Sequence, residues 1–192
     1  MANYRGVDWD FSYRTDTPVG KLSTSWSGTY MLKQNYTLVP GGEVFSDLAK
    51  FGADNNVVFR IQSHLNGTLQ TGRFTNSLTA NFKSKYKDQA YDEGNGVYVR
   101  NADGSQGADT AFEGLDVPSY ITWDYQGKFD YTKKIAFTAG VKNLFDRNPP
   151  LSYQTNTFQA GYDPRYTDPM GRTFYVRGTY DFSLEEIGRA HV

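Results

Sequence analysis

Apolar and polar residues alternate one by one through about seven segments of this chain. In residues 120–131, Ile121, Trp123, Tyr125, Gly127, Phe129 and Tyr131 share one parity, and Tyr120, Thr122, Asp124, Gln126, Lys128 and Asp130 share the other. Successive side chains of a strand point to opposite faces, so this is one apolar wall backed by one polar wall; a helical period would mix the two sets. The pattern recurs. Val7, Trp9, Phe11 and Tyr13 alternate with Asp8, Asp10, Ser12 and Arg14, and Leu22, Trp26, Tyr30 and Leu32 with Ser23, Ser25, Ser27 and Lys33. Val57, Phe59, Ile61, Leu65 and Leu69 oppose Arg60, Gln62, His64, Asn66 and Gln70; Phe74, Leu78, Ala80, Phe82 and Tyr86 oppose Thr75, Thr79, Asn81, Lys83 and Lys85. Two C-terminal segments follow: Ile135, Phe137, Ala139 and Val141 against Thr138, Gly140 and Lys142, then Phe174, Val176, Tyr180 and Phe182 against Thr173, Arg177, Thr179 and Asp181.

The links alternate as well. Residues 15–20, 72–73 and 132–134 are short; 39–56, 89–118 and 147–172 are long and rich in Gly, Asp, Asn, Pro and Tyr. Most segments reach the roughly 9–11 residues that a tilted strand needs to cross a bilayer. Short turns on one side and long loops on the other are the plan of a membrane-spanning β-barrel, with apolar residues toward lipid and polar ones toward a wet interior. The fold class is therefore all-β, an antiparallel transmembrane barrel. Bacterial single-chain barrels have even strand numbers, and an open set of strands would leave unpaired edges facing lipid, so about seven strands imply a fragment. The first ten residues, MANYRGVDWD, lack the basic region and apolar stretch of a signal peptide, which points the same way. Met1 is expected to be an internal methionine or a truncated start, and the isolated chain is not expected to close into a monomeric barrel.

Composition adds limits. Net charge is −1, which gives no electrostatic footprint for nucleic acid. There is no cysteine, so disulfides and thiolate metal sites are excluded. The aromatic content of 16% suits the girdles that barrels carry at both membrane interfaces, where Trp9, Trp26 and Trp123 are expected on the lipid face. No apolar run is long enough for a transmembrane helix.

Residues 141–150, VKNLFDRNPP, carry a more specific signal. An apolar strand ending in Asn143, Leu144, Phe145 and Asp146, followed by Pro149 and Pro150, resembles the penultimate strand of TonB-dependent outer-membrane receptors. Residues 158–182, with Gly171, Arg172 and a final Phe182, look like the last outer loop and final strand of that family. Residues 118–126 are similar to the strand before them. The resemblance implies about seven strands from the C-terminal end of a 22-stranded barrel, residues 1–182, in the outer membrane of a Gram-negative bacterium. It implies uptake of a scarce, large solute: a siderophore, cobalamin or oligosaccharide. It also implies partners: TonB and the inner-membrane energy-coupling complex acting through a plug domain absent here, the barrel-assembly machinery, and outer-membrane lipid and lipopolysaccharide. Neither a cofactor nor an enzymatic activity is implied. By their own chemistry, the two prolines cannot donate ladder bonds and are expected to end the strand, and Asp146 is expected to satisfy local backbone donors there.

Residues 183–192 lack alternation and form a non-barrel tail. IGRAHV (187–192) back-translates to ATCGGAAGAGCACACGTC, which resembles a sequencing adapter, so part of this tail is expected to be artefact.

Other constellations weigh less. Asp8, Asp10, Asp124 and Asp130 read as polar lumen lining rather than as a catalytic pair. His64 has no second ligand at metal-binding spacing. Asn101, Asp103 and Ser105 open like a calcium loop, but Gln106 and Phe112 stand where a glycine and a bidentate glutamate are needed. The loop aromatics are the better ligand candidates, since exposed rings stack on sugars or chelates and arginine supplies charge. Tyr98, Arg100, Tyr153, Phe158, Tyr162, Arg165 and Tyr166 are the expected contacts, with Tyr91 beside them. A passive porin and a soluble carbohydrate-binding β-sandwich are the alternatives; the sandwich predicts apolar faces packed into a dry core.

Overall fold

A computed structural model describes residues 2–94 and 98–182; the tail at 183–192 lies outside the described residues. Seven long strands form one antiparallel meander: β1 (Ala2–Thr17), β2 (Gly20–Thr37), β4 (Ile61–Thr71), β5 (Phe74–Lys83), β10 (Tyr120–Asp130), β11 (Ile135–Lys142) and β12 (Thr173–Tyr180). β3 (Val44–Phe45) adds to the far end of β2, while β6 (Tyr86–Lys87) pairs with β9 (Asp116–Val117) and β7 (Tyr98–Arg100) with β8 (Gln106–Asp109) in two small sheets. β1 and β12 are the two edges of an unclosed sheet. The seven alternating segments are thus the seven wall strands. Turns at Pro18–Val19, Gly72–Arg73 and 131–134 join them at one end, and loop 1 (38–60), loop 2 (84–119) and loop 3 (143–172) at the other.

Pairing keeps like with like, because cross-strand partners share a face. Phe74, Phe129 and Phe137 lie in one row, with the Phe74 and Phe129 rings stacked at 4.7 Å. Trp26, Leu65, Ala80 and Trp123 form a second row nearer the loops. The two aromatic levels are separated on β10 by about 20 Å of strand, at ~3.3 Å per residue. Phe11, Trp26, Phe74, Phe137, Phe174 and Val176 are exposed on this face. Among the described residues no second sheet covers it with a dry core, as a sandwich would require.

Three features depart from strict alternation. β1 pairs Arg5 with Lys33 but Gly6 with Met31, which leaves Leu32 as a bulged residue. A one-residue bulge reverses the faces beyond it. Gln34, partner of Tyr4, and Tyr36, partner of Ala2, therefore turn to the polar side and are buried there. Val57 and Phe59 continue the apolar parity of β4 but do not belong to it; the strand begins at Ile61, and both residues are buried under the loops. Tyr86 likewise leaves the apolar-face set of β5 and is buried with them.

Gly140 has a steric role. The Tyr175 ring on β12 lies over it, and the phenol donates to Gln126 Oε1 on β10 at 2.9 Å. Gly140→Val is expected to displace that ring, break the three-strand bridge and lower stability by about 2–3 kcal/mol, measured as a lower urea midpoint of the full-length protein.

Candidate functional site

The three loops pack into one cap over the polar face of the sheet. Its core is Val57 and Phe59 of loop 1, Tyr86 and Val117 of loop 2, and Phe51 and Tyr166 packed against them. Phe59 meets Tyr166 edge-on at 5.0 Å and Tyr86 at 5.6 Å. Burial pushes the Tyr86 and Tyr166 phenols up from their ordinary values, so both stay protonated. Tyr166 donates to Asn56 Oδ1 at 2.7 Å and accepts the Val57 N–H at 3.0 Å, while Lys83 of β5 donates to the Tyr166 carbonyl at 2.6 Å. One tyrosine thus joins loop 3, loop 1 and the wall.

Buried carboxylates Asp88 and Asp47 tie the cap together further. Asp88 accepts the Ser152 hydroxyl at 2.9 Å and the Tyr153 N–H at 2.6 Å, tying loop 2 to loop 3. Asp47 accepts the Tyr36 phenol at 2.8 Å and the Gln34 amide at 3.3 Å, tying loop 1 to β2. The bulge at Leu32 makes this second anchor possible, since it turns both partners inward. Burial, with Asp54 adjacent, pushes the Asp47 carboxyl above the usual carboxylate range.

Beneath the cap is a cavity of about 740 Å³ on the inner face of β4, β5, β10, β11 and β12. His64, Lys83, Asp124, Lys142 and Tyr175 line its wall, and Tyr166, Asp168 and Met170 of loop 3 form its roof. Asp124 is engaged: one oxygen accepts the Asn143 N–H at 2.8 Å and the other the Asn81 amide at 3.1 Å. Asp8 accepts the Thr29 hydroxyl at 2.6 Å, and Asp130 pairs with Lys128 at 2.8 Å. Among the described residues no group of three or more histidines, cysteines or acids is arranged to hold a metal.

The loop residues singled out in the sequence are distributed over several places. Arg165 forms a two-point ion pair with Asp163, donates to the Asn55 carbonyl, and lies over the Tyr166 and Phe51 rings at 4.9 and 5.5 Å. Arg165 and Tyr166 are therefore together but committed to the cap. Tyr153 packs near Phe112, whose ring is also close to Tyr91; the Tyr91 phenol donates to the Tyr153 carbonyl at 2.6 Å. Tyr98 and Arg100 stand apart on the β7–β8 hairpin, and Arg100 donates to the Gly104 carbonyl. There Asp103 accepts the Ser105 N–H and hydroxyl, which close a turn and hold its carboxyl below the usual range. Tyr162 is half-buried, with its carbonyl accepting from Gln154. Phe158 is 95% exposed at the tip of a segment knotted by buried Gln154, whose amide also donates to Thr157 and the Gln159 carbonyl.

The segment from Asn143 to Asp146 is a strand terminator. Asn143 (φ 51°) and Asp146 (φ 54°) adopt the left-handed conformation that asparagine and aspartate tolerate best. The Asn143 side chain accepts the Arg147 N–H at 2.8 Å and donates to its carbonyl at 3.0 Å, so β11 ends at Lys142, just before Asn143, and not at the prolines. Leu144 still donates to the Trp123 carbonyl, and Phe145 projects outward against the Trp123 ring. Asp146 does not serve local donors: its carboxylate accepts the Arg172 N–H at 2.8 Å across the whole of loop 3. Gly171 (φ 67°) fits directly against that carboxylate, where a side chain would collide. Phe182 packs on Tyr180 at 4.5 Å.

No protein-family model matches the sequence, and no curated protein does. Solved structures do. A mutant of the ferric enterobactin receptor PfeA from Pseudomonas aeruginosa is 21% identical at a TM-score of 0.53, covering 92% of this chain and 22% of the receptor. A second PfeA mutant gives 22% identity and a TM-score of 0.52 with the same coverage. The fold is that of a TonB-dependent receptor barrel. The chain spans 22% of the length of these receptors. Barrels of this architecture carry aromatic girdles and an apolar outer face, the pattern that the aromatic rows and the exposed apolar face of this sheet match.

Proposed function

We propose that this chain is the C-terminal wall and outer-loop segment of a TonB-dependent receptor in a Gram-negative outer membrane. It binds a scarce, large solute, a siderophore, cobalamin or oligosaccharide, for energised uptake and catalyses no reaction. The carrying observation is the combination of an unclosed apolar-out sheet with three long loops fused into one cap over a polar cavity. A passive pore needs a clear lumen; a capture device needs a built vestibule. Ligand taken by the loops would pass inward as a plug, moved by TonB and the energy-coupling complex, opens the lumen. Insertion by the barrel-assembly machinery and contact with lipopolysaccharide follow from the same reading.

The test is uptake by the full-length gene product in a receptor-deficient Gram-negative host. Radiolabelled ferric siderophores, cobalamin and oligosaccharides would be supplied in parallel, with and without TonB. Accumulation of one of them that disappears without TonB is the expected result. TonB-independent accumulation would identify a porin instead.

A further inference from the structure

We propose that Asp47 and Asp54 form a proton-holding clasp that fastens loop 1 to β2 more firmly as pH falls. Asp47 is fully buried. Its Oδ1 accepts the Tyr36 phenol and its Oδ2 the Gln34 amide, and both donors are neutral. Gly52 lies against Oδ1, where a side chain would collide with the carboxyl. The Asp54 carboxyl stands within hydrogen-bonding reach, and the Asp54 N–H donates to the same Tyr36 oxygen at 3.1 Å. No cation answers the pair: among the described residues neither carboxyl makes an ion pair. Lys50 gives Asp47 only its backbone N–H, and Arg165 is taken by Asp163. Tyr36 from β2, Asp54 from loop 1 itself and Tyr166 from loop 3 are the titratable groups that act on Asp47.

Two carboxyls that share a desolvated place without a cation cannot both ionise cheaply, so the site keeps a proton between them. Burial first, and the Asp54 carboxyl after it, hold Asp47 above the usual carboxylate range. A group whose value is raised by folding adds stability in acid and loses it as pH rises through the raised value. Above that point the clasp encloses an unanswered charge, and loop 1 opens more often. The effect is local, because Asp47 is bonded through backbone as well as side chain. Its N–H donates to Gln34 Oε1 at 2.7 Å, and its carbonyl accepts the Val58 N–H at 3.0 Å. Next to that bond, Val57 and Asn56 hold Tyr166, part of the cavity roof. Proton uptake at the clasp therefore tightens loop 1 and the roof together, although neither carboxyl lines the cavity.

The experiment is hydrogen exchange on the full-length protein between about pH 5 and about pH 8, expressed as protection factors so that the intrinsic pH dependence of exchange drops out. The probes are the amides of Ala49, Asp54 and Val58, which donate to the Val58 carbonyl, the Tyr36 phenol and the Asp47 carbonyl. The expected result is a severalfold loss of their protection as pH rises, with the amides of β5 and β10 unchanged. Asp47→Asn, a permanently neutral side chain of the same shape, should keep their protection high at both ends of the range. Asp54→Asn retains an oxygen for the Asn56 N–H and leaves the bonds of Asp47 to Tyr36 and Gln34 in place, so it serves as the second variant should Asp47→Asn not fold. In it the pH dependence should shrink. Flat protection in the wild type, a loss shared equally by β5 and β10, or an undiminished dependence in either variant overturns the proposal.

Discussion

Replacing Tyr166 by alanine is expected to free loop 1 while leaving the wall intact. The substitution removes an aromatic ring from a cluster formed with Phe59, Tyr86 and Val57, together with the acceptor for the Val57 N–H and the donor to Asn56. Truncation of a packed aromatic with loss of such bonds costs about 2–4 kcal/mol. The loss falls on the cap, since every ladder bond of the seven strands is untouched. Hydrogen exchange on the full-length protein should show faster exchange at residues 48–58, with β4, β5 and β10 unchanged. Tyr166→Phe should show an intermediate effect, because the ring stays and only the phenol is lost. Unchanged exchange in loop 1 of the alanine variant would mean that the cap is held elsewhere.

The second large effect is expected at Asp124. Alanine there leaves the N–H of buried Asn143 and the Asn81 amide without their acceptor, at a cost of about 2–3 kcal/mol. The damage should spread along the terminator, since Asn143 positions Arg147 and the start of loop 3. Asparagine should be tolerated far better. Its amide oxygen accepts the Asn143 N–H, and Asn81 can rotate to offer its own oxygen to the new amide. Thermal or urea midpoints of Asp124→Ala and Asp124→Asn, compared with wild type, check this. Equal losses in the two variants would show that the charge matters and not the acceptor.

These residues also mark how far the sequence could be read. The wall was legible because strand faces repeat every second residue, a purely local signal that survives in Trp123, Tyr125 and Phe129 as clearly as in Phe174 and Val176. It misled where alternation ran past the strand. Val57 and Phe59 carry the right parity, but the run from 57 to 70 is longer than a crossing strand needs, and the surplus is cap core. The bulge left a trace in the adjacent polar residues Lys33, Gln34 and Asn35, which break the pattern where the faces reverse. Asn143 to Asp146 was recognisable as a motif, whereas the bond from Asp146 to Arg172 depends on how loop 3 returns.

The cap also imposes an order of events on folding. The wall is a meander whose neighbours, apart from those flanking the long loops, follow one another closely in the chain, so each hairpin can zip onto the last with little loop-closure cost. Loop 1 is anchored nearby to β2 through Asp47, but its core residues Val57 and Phe59 pack against partners far along the chain. The Val57 N–H and its acceptor on Tyr166 are 109 residues apart, and the Arg165 contact to Asn55 spans 110. Until loop 3 has been made and returned to the sheet, Phe59 and Val57 have no complete core to enter. Their burial is therefore among the last steps of folding.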